Sequence, residues 1–266
     1  MAIYKKNNYR PNRHKKEDVE VEETLEKLQE ESTTAEVFNT LDQGASKTEA
    51  WVQKNQKAII GTLVAIVVVG LGYMLYQQLV ATPKAKEASN ELSYPLQIFE
   101  NALNATETKA KDSLFALSLS GTNGRYGFLD IIKNYNNTKA ANIATYSAGM
   151  AYLNMNKYKE AIDYLDKFKS DDEILSALAL GNIGDAFAQL KQPKEALDYY
   201  EKAFKKSKNN YTAPIYLQKA GLVASELKNY NKAIEYFEKI KDEYPKSEEA
   251  RTIEIQLSRV QVLKEQ

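Results

Sequence analysis

The sequence predicts an all-α chain, one transmembrane helix followed by an α-solenoid of paired helices. Three observations carry that expectation. Residues Ala58–Val80 (AIIGTLVAIVVVGLGYMLYQQLV) form an apolar run without a single charge. Beyond residue 150 one phrase recurs in three variants, KYKEAIDYLDKF (Lys157–Phe168), QPKEALDYYEKAF (Gln192–Phe204) and NYNKAIEYFEKI (Asn229–Ile240). A glycine precedes each copy at the same distance: Gly149 before Ala161, Gly184 before Ala196, and Gly221 before Ala233.

Residues 1–50 read as a charged, largely flexible head. Lys5, Lys6, Arg10, Arg13, Lys15 and Lys16 meet no acid before Glu17, which suits a solvated tail or a contact with anionic lipid or ribosomal RNA. Residues 17–49 reverse the sign, and Val21, Leu25 and Leu28 recur at helical spacing there. Nothing in the head could bury a core of its own.

Residues 51–82 form the anchor with its interfacial flank. At a rise of about 1.5 Å per residue the run spans roughly 34 Å, enough for a hydrocarbon core of about 30 Å. Lys54 and Lys57 stop it on one side, and Lys84, Lys86 and Glu87 on the other. Trp51, Tyr73 and Tyr76 stand near its ends, where amphipathic rings favour the headgroup layer. The competing reading is a buried core helix. Small residues on one face (Gly61, Ala65, Gly70, Gly72) permit a close approach by another membrane helix, but also occur in helices that pack on nothing. The run starts too late and is too long for a cleaved secretory signal. Lys47, Lys54 and Lys57 on the near side outnumber Lys84 and Lys86 on the far side, which favours a cytoplasmic N-terminus. The reversed orientation would leave the remainder in the cytoplasm.

Residues 83–141 read as a helical membrane-proximal segment. Leu92, Leu96, Phe99 and Leu103 predict a helix from Pro83 to about Lys111. Gly121–Gly127 (GTNGRYG) breaks the pattern as a loop, and Gly127–Tyr135 opens a further helix that Asn136–Thr138 closes.

Residues 142–266 hold the repeats. The glycines are 35 and 37 residues apart, near the period of about 34 of a helix-turn-helix unit. Gly and Ala mark where the two helices of a unit cross most closely, with Tyr164, Tyr200 and Phe237 expected to fill the space around the crossing. Pro214 suits the first turn of a helix, and Pro245 falls where one should end.

With their glycine, alanine and aromatic positions, these three units resemble tetratricopeptide repeats over about residues 142–245, with a capping helix, Ser247–Leu263, beyond. The segment WVQKNQKAIIGTLVAIVVVGLGYMLYQ is similar to the anchor of YfgM-like proteins. GFLDIIKNYNNTKAANIATYSAGMAYL and DDEILSALALGNIGDAFAQL are similar to repeat proteins of that type from the Bacteroidetes. The resemblance implies a single-pass protein of the bacterial inner membrane, N-terminus cytoplasmic and repeats periplasmic. Its implied partners are the SecYEG translocon and exported polypeptides or periplasmic chaperones. The head of this chain is longer than that family's. A second reading is a scaffold for another envelope complex, in cell division or outer-membrane assembly.

The resemblance also implies a peptide-binding groove lined by the first helix of each unit. Its residues would be Ile143, Tyr146, Met150, Leu153 and Asn154; then Leu178, Gly181, Asp185, Ala188 and Gln189; then Ile215, Gln218, Leu222, Ser225 and Glu226. Such a face is mixed, weakly acidic and partly apolar, without the Lys and Arg cluster that would clamp a terminal carboxylate. Alternatively, some of these residues pack on a neighbouring helix or face water.

Chemistry has little to work with. There is no cysteine, which excludes disulfides, thiolate metal sites, a cysteine nucleophile and a lipid-modified cysteine. The only histidine is His14 in the basic head. Asp171 and Asp172, and Glu248 and Glu249, stand at helix ends as caps or solvated residues. Gly121–Gly127 lacks the Lys-Ser/Thr ending of a phosphate loop. No enzyme activity, cofactor or metal is expected. The balance of 36 basic against 36 acidic residues argues against a nucleic-acid partner.

Overall fold

The computed structural model describes residues 33–122 and 124–266, all helical apart from turns and a single bridge between Thr122 and Arg125. The basic tail 1–16 and the helix expected around Val21–Leu28 lie outside the described residues. By its contacts the chain divides into two units, Met1–Leu75 and Tyr76–Gln266.

The first unit carries α1, Thr33–Tyr76. The helix begins well before the apolar run, so residues 33–50 of the head are helical. Thr40, Ser46 and Thr48 donate their hydroxyls to carbonyls three or four residues back, which keeps these weak helix formers inside the ladder. Thr62, the hydroxyl inside the apolar run, does the same to Ala58 O at 2.8 Å. Among the described residues one helix is apolar and long enough to cross a membrane. Its best 18-residue window has a mean hydropathy of 2.4, with none of it buried. The buried-core reading of this run therefore fails: Leu63, Val67 and Val69 stand open, and a Cβ at Gly61, Gly70 or Gly72 would meet nothing within 4 Å.

In the second unit a π-helical turn, Gln77–Ala81, leads into α2, Thr82–Asn104. The helix expected to reach Lys111 breaks at Ala105–Glu107 and resumes as α3, Thr108–Ser120. The break lets α3 fold back, so that Phe115 and Leu119 share a core with Ala88, Leu92 and Ala102. The loop Gly121–Gly127 is tight. Gly121 has φ of +70°, and a Cβ there would lie 2.3 Å from Arg125 O. Next come α4, Phe128–Asn134, and α5, Lys139–Asn154. Residues of α2 to α5 close the first core, around Phe115, Phe128 and Ile131.

From α5 onward the helices pair: α5 with α6 (Tyr158–Leu165), α7 (Glu173–Gln189) with α8 (Pro193–Lys206), and α9 (Thr212–Glu226) with α10 (Tyr230–Glu243). A short 3₁₀ turn, Glu249–Arg251, precedes the last helix, α11, Ile253–Glu265. The expected cap therefore starts six residues later than Ser247, whose hydroxyl instead accepts the Ala250 N–H at 3.2 Å. A second core gathers α7 to α11 around Leu217, Phe237, Ile240 and Ile253.

Each pair crosses at its glycine. Ala161, Ala196 and Ala233 are fully buried. A Cβ on Gly184 would lie 2.6 Å from the Tyr200 ring, and one on Gly221 2.3 Å from the Phe237 ring. The first pair differs from expectation. Leu165, not Tyr164, lies against Gly149, with its Cγ 2.6 Å from the position of a Cβ. Tyr164 is one residue out of register with Tyr200 and Phe237 relative to their glycines, so it turns outward and stacks on Tyr152 at 5.3 Å.

The turn inside each pair repeats as faithfully as the glycine. Asn156, Lys191 and Lys228 all take the left-handed conformation, at φ of 59°, 60° and 58°. The following N–H closes back onto the carbonyl of Tyr152, Phe187 or Ala224 at 2.8–3.0 Å. This is the usual C-terminal device of helices, made without the glycine that favours it.

Gly221→Ala is expected to destabilise the second unit by about 1–3 kcal/mol, the overpacking cost outweighing the roughly 1 kcal/mol gain in helix propensity. Gly61→Ala, with open space around it, should show no such loss. Thermal unfolding of the detergent-solubilised chain by circular dichroism compares them. Lys191→Gly should raise stability by about 0.5–1 kcal/mol by relieving the left-handed backbone, read as a higher urea midpoint at unchanged slope.

Candidate polypeptide-binding face

The first helices α5, α7 and α9 stand side by side and share one face. Polar side chains one unit apart join them. On α7, Asn182 donates to Tyr146 Oη at 3.4 Å and lies 3.1 Å from Met150 Sδ, both on α5. On α9, Lys219 donates to both carboxylate oxygens of Asp185 on α7, at 2.7 and 2.8 Å. Asn182 and Lys219 occupy the same place in successive units, as do Met150 and Asp185. The stack is thus stitched by one repeated reach back to the preceding unit.

Asp185 has a third neighbour. Tyr200 on α8 donates its hydroxyl to Asp185 Oδ1 at 2.7 Å, while its ring stacks on Tyr216 at 6.3 Å. The Lys219 ammonium lies 5.7 Å from the centres of both rings. Burial, and then the facing Asp185 carboxylate, push both phenols above their ordinary range, so both stay neutral. The face is therefore less acidic than its sequence suggests, because the charge of Asp185 is balanced by a lysine from the next helix.

The other expected groove residues divide. Ile143 and Leu222 are exposed, at 45% and 44%, and Gln189 and Glu226 are exposed beside them. Tyr146, Met150, Leu153, Gln218 and Ser225 are half-buried on the face. Asn154, also half-buried, bends its amide onto Met150 O at 2.8 Å. Leu178, Ala188 and Ile215 instead pack against the second core. Gly181 is no groove floor either: a Cβ there would fall 1.9 Å from the Tyr216 ring, so it seats α9 against α7. Asn182, Lys219 and Tyr216 escaped the sequence reading, and Tyr200 was expected only as a packing ring at the crossing. Superposing the units at spacings of 35 and 37 residues would have aligned Asn182 with Lys219, but nothing would have shown that they reach backward.

The opposite helices carry a second clamp. Glu201 on α8 accepts from Tyr236 Oη at 2.7 Å, from Lys205 at 3.1 Å and from Lys232, two of these partners lying on α10. Burial pushes the Glu201 carboxyl up, but the hydrogen bonds from Lys232, Tyr236 and Lys205 outweigh it and hold it below the ordinary value. Between the first two units the equivalent places hold Asp166 and Glu195, two acids, and no clamp forms there. Asp172, one of the paired acids, caps α7 by accepting the Leu175 N–H at 2.9 Å. Among the described residues no group of three or more His, Asp or Glu is placed to hold a metal.

Tetratricopeptide-repeat models match residues 144–170, 177–210 and 216–247. No curated protein matches the chain. Among solved structures, a crystal structure of MamA protein is similar, with a TM-score of 0.45 and 18% identity over 66% of this chain and 86% of that one.

A carboxylate held below its ordinary value stabilises the fold above its unfolded pKa, and that stabilisation is lost as pH falls through the depressed folded value. Wild type should thus lose stability on acidification below about pH 4, and Glu201→Gln should lose less over the same interval. Urea midpoints at pH 7 and pH 3 measure the difference.

Proposed function

We propose that this chain, whose C-terminal part is built of tetratricopeptide repeats, is a membrane-anchored protein that binds polypeptide segments and performs no chemistry. The observation that carries the binding is the shared face of α5, α7 and α9. Exposed Ile143 and Leu222 alternate there with half-buried Tyr146, Met150, Gln218 and Ser225, while Asp185 is already paired with Lys219. Such a surface suits an extended or helical segment with apolar side chains and little charge.

The anchor rests on a magnitude. About ten large aliphatic side chains of α1 stand in the open, and at roughly 2 kcal/mol each their exposure costs on the order of 20 kcal/mol. That exceeds the whole stability of a typical domain, about 5–15 kcal/mol. A lipid environment removes the cost, because hydrocarbon is the solvent such a helix prefers.

The finer reading is a bacterial inner-membrane protein with its N-terminus in the cytoplasm and its repeats in the periplasm. There it attends the Sec translocon and binds exported polypeptides or periplasmic chaperones. The excess of Lys47, Lys54 and Lys57 over Lys84 and Lys86 supports the orientation, and the likeness of the Trp51–Gln77 segment to YfgM-like anchors supports the partner. Tethering at the exit channel raises the local concentration of the face to the mM range, so weak contacts suffice.

A photoreactive residue in place of Leu222, crosslinked in intact membranes, should capture translocon subunits and nascent exported chains. Recovery of one unrelated stable partner would move the reading to a scaffold. Protease added to spheroplasts should remove the C-terminal repeats; protection of them would reverse the orientation.

A further inference from the structure

A cavity of about 430 Å³ opens where the apolar run ends. Tyr76, Gln77 and Ala81 form one wall, Lys84 and Ser89 of α2 the next, and Asn136 to Lys139 the far side. No carboxylate lines it. Lys84 and Lys139 have no ion-pair partner among the described residues, and the side-chain amides of Asn136 and Asn137 make no hydrogen bond there. Asn137 holds φ of 65°, which turns the chain between α4 and α5 over the opening.

We infer that this cavity receives the phosphate-bearing headgroup of an anionic lipid. The inference rests on the membrane reading of α1, and covalent continuity does the rest. If Ala58–Val80 crosses the hydrocarbon, Lys84 follows its last apolar residue by four positions, about 6 Å along a helix. The cavity then lies in the headgroup layer whatever the disposition of the repeats. Two unpaired ammonium groups and two free amides supply donors around a phosphate, and Ala81 and Ala85 leave room for it. The π turn Gln77–Ala81 lies in the cavity wall, an irregularity that often marks a functional site.

The test uses full-length protein in nanodiscs of phosphatidylcholine mixed with phosphatidylglycerol, with retained lipid counted by native mass spectrometry. Wild type should keep phosphatidylglycerol in preference to phosphatidylcholine. The Lys84→Gln, Lys139→Gln double variant should lose that preference by about fivefold per lysine, roughly 25-fold together. If the double variant does not fold, Lys139→Glu alone, at an exposed position, should lower the preference at least fivefold. Equal retention of the two lipids by wild type, or by wild type and variants alike, overturns the inference. Displacement of the lipid by inorganic phosphate at equal affinity would also overturn it, by assigning the site to a free anion. Alkaline carbonate extraction keeps the two readings apart. Release of the protein refutes the anchor, whereas retention without lipid preference refutes only the headgroup site.

Discussion

The close crossing of two helices at Gly149, Gly184 and Gly221 is the constraint on which the repeats depend. At each glycine the partner helix brings a bulky side chain to within the reach of a missing Cβ. The buried alanines Ala161, Ala196 and Ala233 allow the same approach from the other side. Packed interiors tolerate little extra volume, so a methyl group at such a point displaces a ring or a backbone. Because the pairs are held this tightly, their first helices align, and the shared face exists only as a consequence of that alignment.

The units are not equally coupled. Between the second and third, Asp185 with Lys219 ties one side and Glu201 with Lys232 and Tyr236 ties the other. Each is a partly exposed ionic contact of about 0.2–1 kcal/mol, but together they fix two helices against two. Between the first and second units the outer place holds Asp166 and Glu195. In addition α6 ends at Leu165, while α8 and α10 run on for 14 residues each. The missing turns leave a cavity of about 350 Å³ lined by Leu165, Phe168, Ala179 and Ile183. Asn142 bridges part of the gap through two hydrogen bonds to the backbone of Lys169, at 2.6 and 3.1 Å. The two hydrophobic cores stay separate across this seam.

Charge pairing also shapes what the face can hold. With Asp185 answered by Lys219, the face presents mainly apolar and amide groups, with Glu226 as its exposed charge. That suits partners of varied sequence.

Much was legible without coordinates, because the apolar run and the triplicated phrase are local patterns. An uncharged stretch of 23 residues is long enough to cross a bilayer, and a glycine recurring at 35 and 37 residues reflects the length of a helix pair. The helical class, the pairings and the fully buried alanines followed from them. What escaped depended on neighbours far apart in the chain. Leu165 displaced Tyr164 because one residue of helical rotation moves a side chain by about 100°. Gly181 became a seat for Tyr216, Lys219 reached back to Asp185, and the Asn136–Lys139 turn closed over the start of α2. Those contacts are set by how whole helices lean on one another, and no single segment carries that information.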